Sequence, residues 1–120
     1  MINKNLFDIE SSIFMGAKRN PHNCSVGIFG VNYDGTCSYK SGARFGPNAI
    51  RQVSTCLETF CPKLEKDLED INYVDFGSLE INKNDSKSVI ESVKSATNYL
   101  MSRSLSPIML GGEHSITLSL

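Results

Sequence analysis

Three short apolar segments alternate along the chain with two longer segments of helical periodicity. The apolar segments are Val26–Val31, 71–76 and 108–110, and glycine lies within or directly after each of them. Short segments that are apolar on both faces are typical of central strands in a parallel sheet. The order strand, helix, strand, helix, strand therefore predicts an α/β fold with a parallel sheet and helices on its faces.

The two periodic segments predict amphipathic helices at about residues 47–60 and 86–103. Pro47 suits the first helical position, because its missing N–H would be unpaired there anyway. The apolar positions of this first helix, expected to face the core, are Ala49, Ile50, Val53, Cys56, Leu57 and Phe60. The pair Asn84-Asp85 can cap the second helix. Its apolar stripe comprises Val89, Ile90, Val93, Ala96, Leu100 and Met101.

Polar residues that suggest a site follow the first and third predicted strands. Ligands of open α/β sheets bind beyond the carboxyl ends of the strands. The motif Gly111-Gly112-Glu113-His114-Ser115 follows the third strand and places an imidazole there, although so short a motif is weak evidence alone. The long loop 32–45 follows the first strand, so we expect it at the same edge. Tyr33, Asp34 and Arg44 could face a ligand, and a structural pair with a carboxylate is an equally good interpretation of Arg44.

Length and composition exclude several classes of protein. With 120 residues, the chain is predicted to form one domain, residues 1–120, with residues 1–23 as an N-terminal extension. The net charge of −1 and the lack of a basic cluster argue against nucleic acid as a partner. No apolar stretch approaches the roughly 20 residues that span a bilayer, so no membrane is expected. Residues 1–5 have no apolar run behind them, so we expect a cytoplasmic protein with free thiols.

Two motifs at their proper separation resemble the ureohydrolase (arginase/agmatinase) family, and the agmatinase branch in particular. They are Gly42-Ala43-Arg44-Phe45-Gly46-Pro47, followed by Ala49-Ile50-Arg51, and Leu110-Gly111-Gly112-Glu113-His114-Ser115. Asp34-Gly35-Thr36 and Asp75-Phe76-Gly77 fall in matching places and order. The resemblance covers about residues 13–120, the N-terminal portion of such a protein. It implies an arginase-like three-layer α/β/α fold with a parallel sheet, incomplete in this chain.

The resemblance also implies an activity and roles for individual residues. It implies hydrolysis of a guanidino compound, agmatine to urea and putrescine, at a site with two manganese ions, in a protein that is a homo-oligomer when complete. His114 would be a metal ligand, Glu113 and Ser115 would hold its loop, and Asp34, Thr36 and Arg44 would line the substrate pocket. The chemistry is coherent, because a guanidinium carbon is a poor electrophile and two metal ions activate water near neutral pH. Carboxylates and imidazoles suit manganese.

The chain departs from the family where the remaining metal ligands are expected. The family's Asp-x-His-x-Asp and its later Asp-x-Asp do not occur in the 120 residues, and Gly77-Ser78 replaces the usual Gly-Asp. One candidate ligand does not hold two ions, so the chain alone is predicted to be inactive. Three hypotheses follow: the N-terminal part of an agmatinase-like hydrolase, a truncated non-catalytic remnant that folds or associates without activity, or, less favoured, an unrelated α/β binding module. Arginine and guanidinobutyrate stay open as substrates.

Overall fold

Three parallel strands occupy the centre of the molecule, and one antiparallel strand borders them. The computed structural model describes residues 6–8 and 12–119. Along the chain lie the strands β1 (Phe7–Asp8), β2 (Val26–Val31), β3 (Phe60–Cys61), β4 (Lys66–Asp67), β5 (Tyr73–Leu79) and β6 (Ser106–Gly111), and the helices α1 (Gly46–Ser54) and α2 (Ser86–Ser102). The main sheet has the order β1–β5–β2–β6, and β3 and β4 form a separate hairpin.

The parallel arrangement predicted for three strands is confirmed. β2 pairs in parallel with both β5 and β6, from Val26 opposite Ser106 to Val31 opposite Gly111. The antiparallel edge strand β1 was not predicted, because two residues carry too little pattern to identify a strand. Its Phe7 is 2% exposed and lies in the core, so the described part of residues 1–23 packs into the domain. Residues 1–5 and 9–11 of the predicted extension lie outside the described residues.

Helix α2 covers one face of the sheet and supplies four buried residues of the main core. Its buried side chains pack on Phe29, Val74 and Phe76, and they are Val89, Val93, Ala96 and Leu100. The predicted stripe is therefore confirmed at these four positions, whereas Ile90 is half-buried and Met101 is 61% exposed. Asp85 accepts hydrogen bonds from the N–H groups of Lys87 and Ser88, which is the cap that the sequence predicted.

Helix α1 covers the other face of the sheet, but with the opposite side from the one expected. The predicted core positions are exposed: Ala49, Ile50 (42%), Val53 (60%), Cys56, Leu57 (59%) and Phe60 (51%). The helix also ends at Ser54 rather than near residue 60, and Phe60 lies in β3. The buried residues of α1 are Pro47, Arg51 and Ser54. The prediction was wrong because the sheet presents a carboxylate to this helix, and the polar side of α1 binds it.

That carboxylate belongs to Asp75 in the middle of β5. Arg51 Nε donates to Asp75 Oδ2 at 2.8 Å and Nη2 donates to Oδ1 at 2.9 Å, and both side chains are completely buried. Arg51 also donates to the Gly77 carbonyl at 2.8 Å, and Asp75 accepts from the Phe14 N–H at 2.8 Å. This bidentate pair joins α1, β5 and the segment before β2 at one point.

A β-bulge in β5 brings a second side chain of that strand toward Arg51. Ile28 pairs with Asp75 and Gly30 pairs with Ser78. Between these two pairs β5 advances by three residues while β2 advances by two. Gly77 has φ 87°, a left-handed conformation that glycine adopts without strain. The extra residue changes the alternation, so Ser78 lies on the same face as Asp75 and its hydroxyl is 3.3 Å from Arg51 Nη1.

Candidate active site

The loops that follow β2 and β6 meet at the carboxyl edge of the sheet, as predicted. Glu113 N–H donates to the Tyr33 carbonyl at 2.8 Å, and Thr36 N–H donates to Glu113 Oε2 at 2.8 Å. A Cβ at Gly112 would lie 1.9 Å from the Tyr33 carbonyl oxygen, so this approach requires glycine. The Leu110–Ser115 motif is therefore in direct contact with the Asp34-Gly35-Thr36 segment that accompanied it in the resemblance.

Glu113 is the side chain that joins the two loops. It is 9% exposed, and the hydroxyls of Thr36 and Ser115 both donate to its Oε1. Burial by itself would raise the pKa of Glu113, but the hydrogen bonds from Ser115, Thr36 and Cys37 outweigh that effect and hold the pKa below its usual value. Glu113 is thus an ionised acceptor whose oxygens are engaged by the loop. This geometry suits the loop-holding role predicted for Glu113 and Ser115.

His114 lies next to this cluster with its side chain exposed. It begins a 3-10 helix, His114–Ser119. The imidazole lines an open hollow of about 430 Å³ whose walls come from both loops: Thr36, Cys37, Ser38, Tyr39, Lys40, Glu113 and Ser115. The structure therefore leaves His114 accessible at the edge where the sequence placed it, and its role as a metal ligand stays a prediction.

Asp34 and Arg44 pair with each other within the long loop. Asp34 Oδ2 accepts from the Gly42 N–H at 2.7 Å, and Arg44 Nη1 lies 3.3 Å from Asp34 Oδ1. The Gly42 N–H, followed by both donors of Arg44, lowers the pKa of Asp34 against the effect of burial. The structural pair that we considered for Arg44 is the arrangement observed, and the guanidinium also lies over the Phe45 ring at 4.7 Å. Direct substrate contacts by Asp34, Thr36 and Arg44 stay predictions.

Two further residues of this loop, Tyr33 and Cys37, have surroundings that the sequence did not predict. Tyr33, expected to face a ligand, is 4% exposed and lies in the core. Cys37 donates its thiol to Glu113, and desolvation together with the Glu113 carboxylate raises the pKa of this thiol. Nothing in the spacing of the cysteines distinguished Cys37, because its partner is 76 residues away and the contact exists only in the folded chain.

The described residues do not supply a two-ion metal site. Among them, no three His, Cys, Asp or Glu side chains are grouped so that they could hold a metal ion. Near His114, the carboxylate of Glu113 already accepts hydrogen bonds from Thr36 and Ser115. A site with two manganese ions needs several more ligands. The described residues therefore supply at most one ligand of such a site, His114.

Comparison with known proteins identifies the fold and the family. Residues 24–120 match the arginase family. The chain belongs to the arginase family. The curated agmatinase of Halalkalibacterium halodurans is 33% identical over 105 residues, which cover 88% of this chain and 36% of the agmatinase. The structure of agmatine ureohydrolase from Thermoplasma volcanium superimposes with a TM-score of 0.84 at 32% identity, covering 92% of this chain and 38% of the other.

This arginase-family chain spans about a third of the length of the relatives that it matches. A structure of formiminoglutamase from Trypanosoma cruzi, determined with Mn²⁺, has a TM-score of 0.64 at 23% identity and shares the fold. The architecture is thus an incomplete arginase-like α/β fold with helices on both faces of a largely parallel sheet. None of the helices in the described part of the chain has the length and apolar character needed to cross a membrane.

Proposed function

We propose that this chain is the N-terminal part of an agmatinase-like hydrolase that releases urea from a guanidino compound, with agmatine as the leading substrate. The observation that carries the proposal is the contact of Thr36 with Glu113, which joins Asp34-Gly35-Thr36 to the Leu110–Ser115 motif beside an exposed His114. The names of the Halalkalibacterium and Thermoplasma relatives support agmatine, and the Mn²⁺ of the Trypanosoma relative supports manganese.

In this proposal the chain contributes one metal ligand and one wall of the substrate pocket. His114 would bind manganese, and Glu113 with Ser115 would fix the loop that presents the imidazole. The Asp34–Arg44 pair would shape the mouth of the pocket, with Thr36 between it and Glu113. Other guanidino compounds stay open, since groups that bind the far end of the substrate need not lie in these 120 residues. Homo-oligomerisation and a cytoplasmic location stay predictions.

A non-catalytic remnant is the second candidate. It is favoured by the lack of a metal-binding group of three or more side chains among the described residues. In that case the same fold would persist without turnover and would associate with other chains at most. The two candidates differ in one respect that can be measured: only the first predicts that the missing ligands restore activity.

A chimera tests that difference. Residues 1–120 are joined to the remaining part of the Halalkalibacterium agmatinase, and urea release is measured with added manganese. We expect manganese-dependent turnover, and we expect His114→Ala to lower it at least about a hundredfold, since even residues behind a metal ligand cost 10–100-fold when changed. The control, His22→Ala, alters an exposed loop residue and should leave turnover unchanged. A folded chimera without urea release would support the remnant.

A further inference from the structure

The N-terminal end of α1 lies against the backbone of β6, at the point where that strand leads to His114. A Cβ at Gly46 would lie 2.9 Å from the Gly111 carbonyl oxygen, so the helix comes closer than a side chain would allow. Gly46 has a φ of −53°, which any residue adopts, so glycine provides space here and not conformational freedom. Gly111 ends β6 and precedes Glu113 and His114 by two and three residues. The position of α1 therefore affects the backbone of the candidate site.

A second close approach places α1 over the sheet. A Cβ at Gly30 in β2 would lie 3.0 Å from the Pro47 Cβ and 3.1 Å from Arg51 Nη1. Gly30 is paired with Leu110 of β6, so both approaches occur near the carboxyl edge, where the loops of the candidate site begin. With nine residues, α1 is only about 14 Å long, so a shift at one point displaces its N-terminal end as well.

Arg51 supplies the directional contacts between α1 and the sheet. Its guanidinium donates to three residues of β5 at 2.8–3.3 Å, which are Asp75, Gly77 and Ser78. Pro47 fills space against Gly30. The Ser54 hydroxyl accepts from the Met15 N–H at 3.0 Å, outside the sheet. The apolar side of α1 points away from the sheet, so the location of the helix depends mainly on Arg51.

We propose that Arg51 is a positioning residue of the candidate site. By fixing α1 on β5, it keeps Gly46 against Gly111 and thereby sets where the loop with His114 leaves the sheet. Arg51 is completely buried and is not among the residues that line the hollow, so it acts through the helix. A guanidinium suits this role because its planar donors fix both the distance and the angle to a carboxylate, whereas an ammonium is a point charge. The inference concerns the geometry of the described loops and is independent of the proposed activity.

Three backbone N–H groups report this geometry. Gly112 donates to the Val31 carbonyl at 3.0 Å, and Glu113 donates to the Tyr33 carbonyl at 2.8 Å. Thr36 N–H donates to the Glu113 carboxylate at 2.8 Å. If the end of β6 moves, these hydrogen bonds lengthen and the three amides exchange faster with solvent, because they open locally without unfolding of the core. A loss of global stability alone accelerates the amides of the core and leaves local opening unchanged.

Amide hydrogen exchange on the 120-residue chain, measured by NMR, tests the proposal. Arg51→Lys keeps the charge and loses the bidentate geometry. We expect it to accelerate the exchange of the three site amides about five- to tenfold, the equivalent of about one hydrogen bond. Gly46→Ala leaves the buried ion pair in place but pushes the helix off the Gly111 carbonyl, so it should accelerate the same amides.

The matched control is Ser54→Ala, which removes a buried polar group from the same side of α1, at the end far from β6. It should accelerate the core amides of Val93 and Leu100 in α2, because it lowers global stability, and should leave the three site amides unchanged. The proposal is overturned if Arg51→Lys accelerates only the core amides, since the role of Arg51 would then be structural alone. It is also overturned if Ser54→Ala changes the site amides as much as Arg51→Lys does, or if Gly46→Ala leaves them unchanged.

The chimera with the Halalkalibacterium agmatinase adds a readout that does rest on the proposed function. Arg51→Lys and Gly46→Ala should each lower its turnover about tenfold or more, since a misplacement of about 1 Å can cost about a hundredfold, and Ser54→Ala should leave turnover unchanged. Full turnover in Arg51→Lys would overturn the proposal. A parent chimera without urea release would contradict the proposed function only, and the exchange measurement would still decide the role of Arg51.

Discussion

At the scale of single residues, Arg51 determines how α1 meets the sheet. Arg51 is fully buried. Its guanidinium forms a bidentate pair with Asp75 and donates a further hydrogen bond to the Gly77 carbonyl. A buried pair of this kind stabilises little relative to a well-packed apolar core, but breaking it leaves an unpaired charge in a dry environment. The identity of both partners is therefore strongly constrained.

We expect Arg51→Met to destabilise the chain by about 3–5 kcal/mol, because it leaves the Asp75 carboxylate buried without its cation. The free energy of unfolding is measured by urea denaturation. Arg103→Met is the control, since Arg103 is exposed and lies over the Tyr99 ring at 4.6 Å; it should cost less than about 1 kcal/mol. Equal losses in the two variants would show that the buried pair has no special role.

The Asp34–Arg44 pair leads to a prediction about pH. Its hydrogen bonds, that from Gly42 first, lower the pKa of Asp34 in the folded chain relative to about 3.9 in an unfolded one. Asp34 therefore stabilises the loop above about pH 4, and that contribution is lost as the pH falls through the lower pKa of the folded state. NMR titration of the carboxyl carbon should show the lowered pKa.

The same titration separates the contributions to this shift. Arg44→Met should raise the pKa of Asp34 only part of the way to its ordinary value, because the Gly42 N–H still donates to the carboxylate. Lys40→Met, in the same loop, serves as the control and should leave the pKa of Asp34 unchanged. If Arg44→Met restored the ordinary value completely, the guanidinium and not the backbone would be the main cause.

At the scale of secondary structure, the bulge in β5 shows how one element serves two faces. Val74 and Phe76 pack against α2, while Asp75 and Ser78 face Arg51. If β5 kept a regular register through Gly77, Ser78 would face the α2 side and Leu79 would leave the core. The bulge therefore lets the same strand carry an apolar core on one face and a polar anchor on the other.

We expect Gly77→Ala to destabilise the chain by about 1–2 kcal/mol, because a side chain at φ 87° is strained in the left-handed region. Its effect on structure is checked by the amide exchange of Ser78 and Leu79. Ser95→Ala, at an exposed position of α2, is the comparison and should change stability by less than about 0.5 kcal/mol. No loss in Gly77→Ala would mean that the strand can pair in a regular register.

At the scale of the whole molecule, the described residues hold a family fold without a complete metal site. The purified 120-residue chain should bind manganese weakly and should not reach the turnover of ordinary enzymes, on the order of 1 per second or more. The measurements are isothermal titration with manganese and urea release from agmatine. Turnover at that rate would show that the ligands come from residues that we have not assigned.

Much of this architecture could be predicted from local sequence pattern. The strand Val26–Val31 agrees with the prediction, and α2 at Ser86–Ser102 agrees with the expected 86–103, because burial and periodicity act over neighbouring residues. The orientation of α1 could not be predicted in this way, since Arg51 is paired with a residue 24 positions away. The Cys37 and Thr36 contacts with Glu113 and the bulge at Gly77 were missed for the same reason, because tertiary contacts determine them.

Two hydrogen bonds hold the long loop, Gly42 to Asp34 and Thr36 to Glu113. The residues they join lie at very different separations along the chain, which affects the order of folding. Asp34 and Gly42 are 8 residues apart, whereas Thr36 and Glu113 are 77 apart. Contacts between distant residues close large loops and form late. During synthesis from the N-terminus, the local turn can therefore form at once. The candidate site is completed only when residue 113 has left the ribosome and β6 has joined β2, so the pocket matures later than the turn that forms one of its walls.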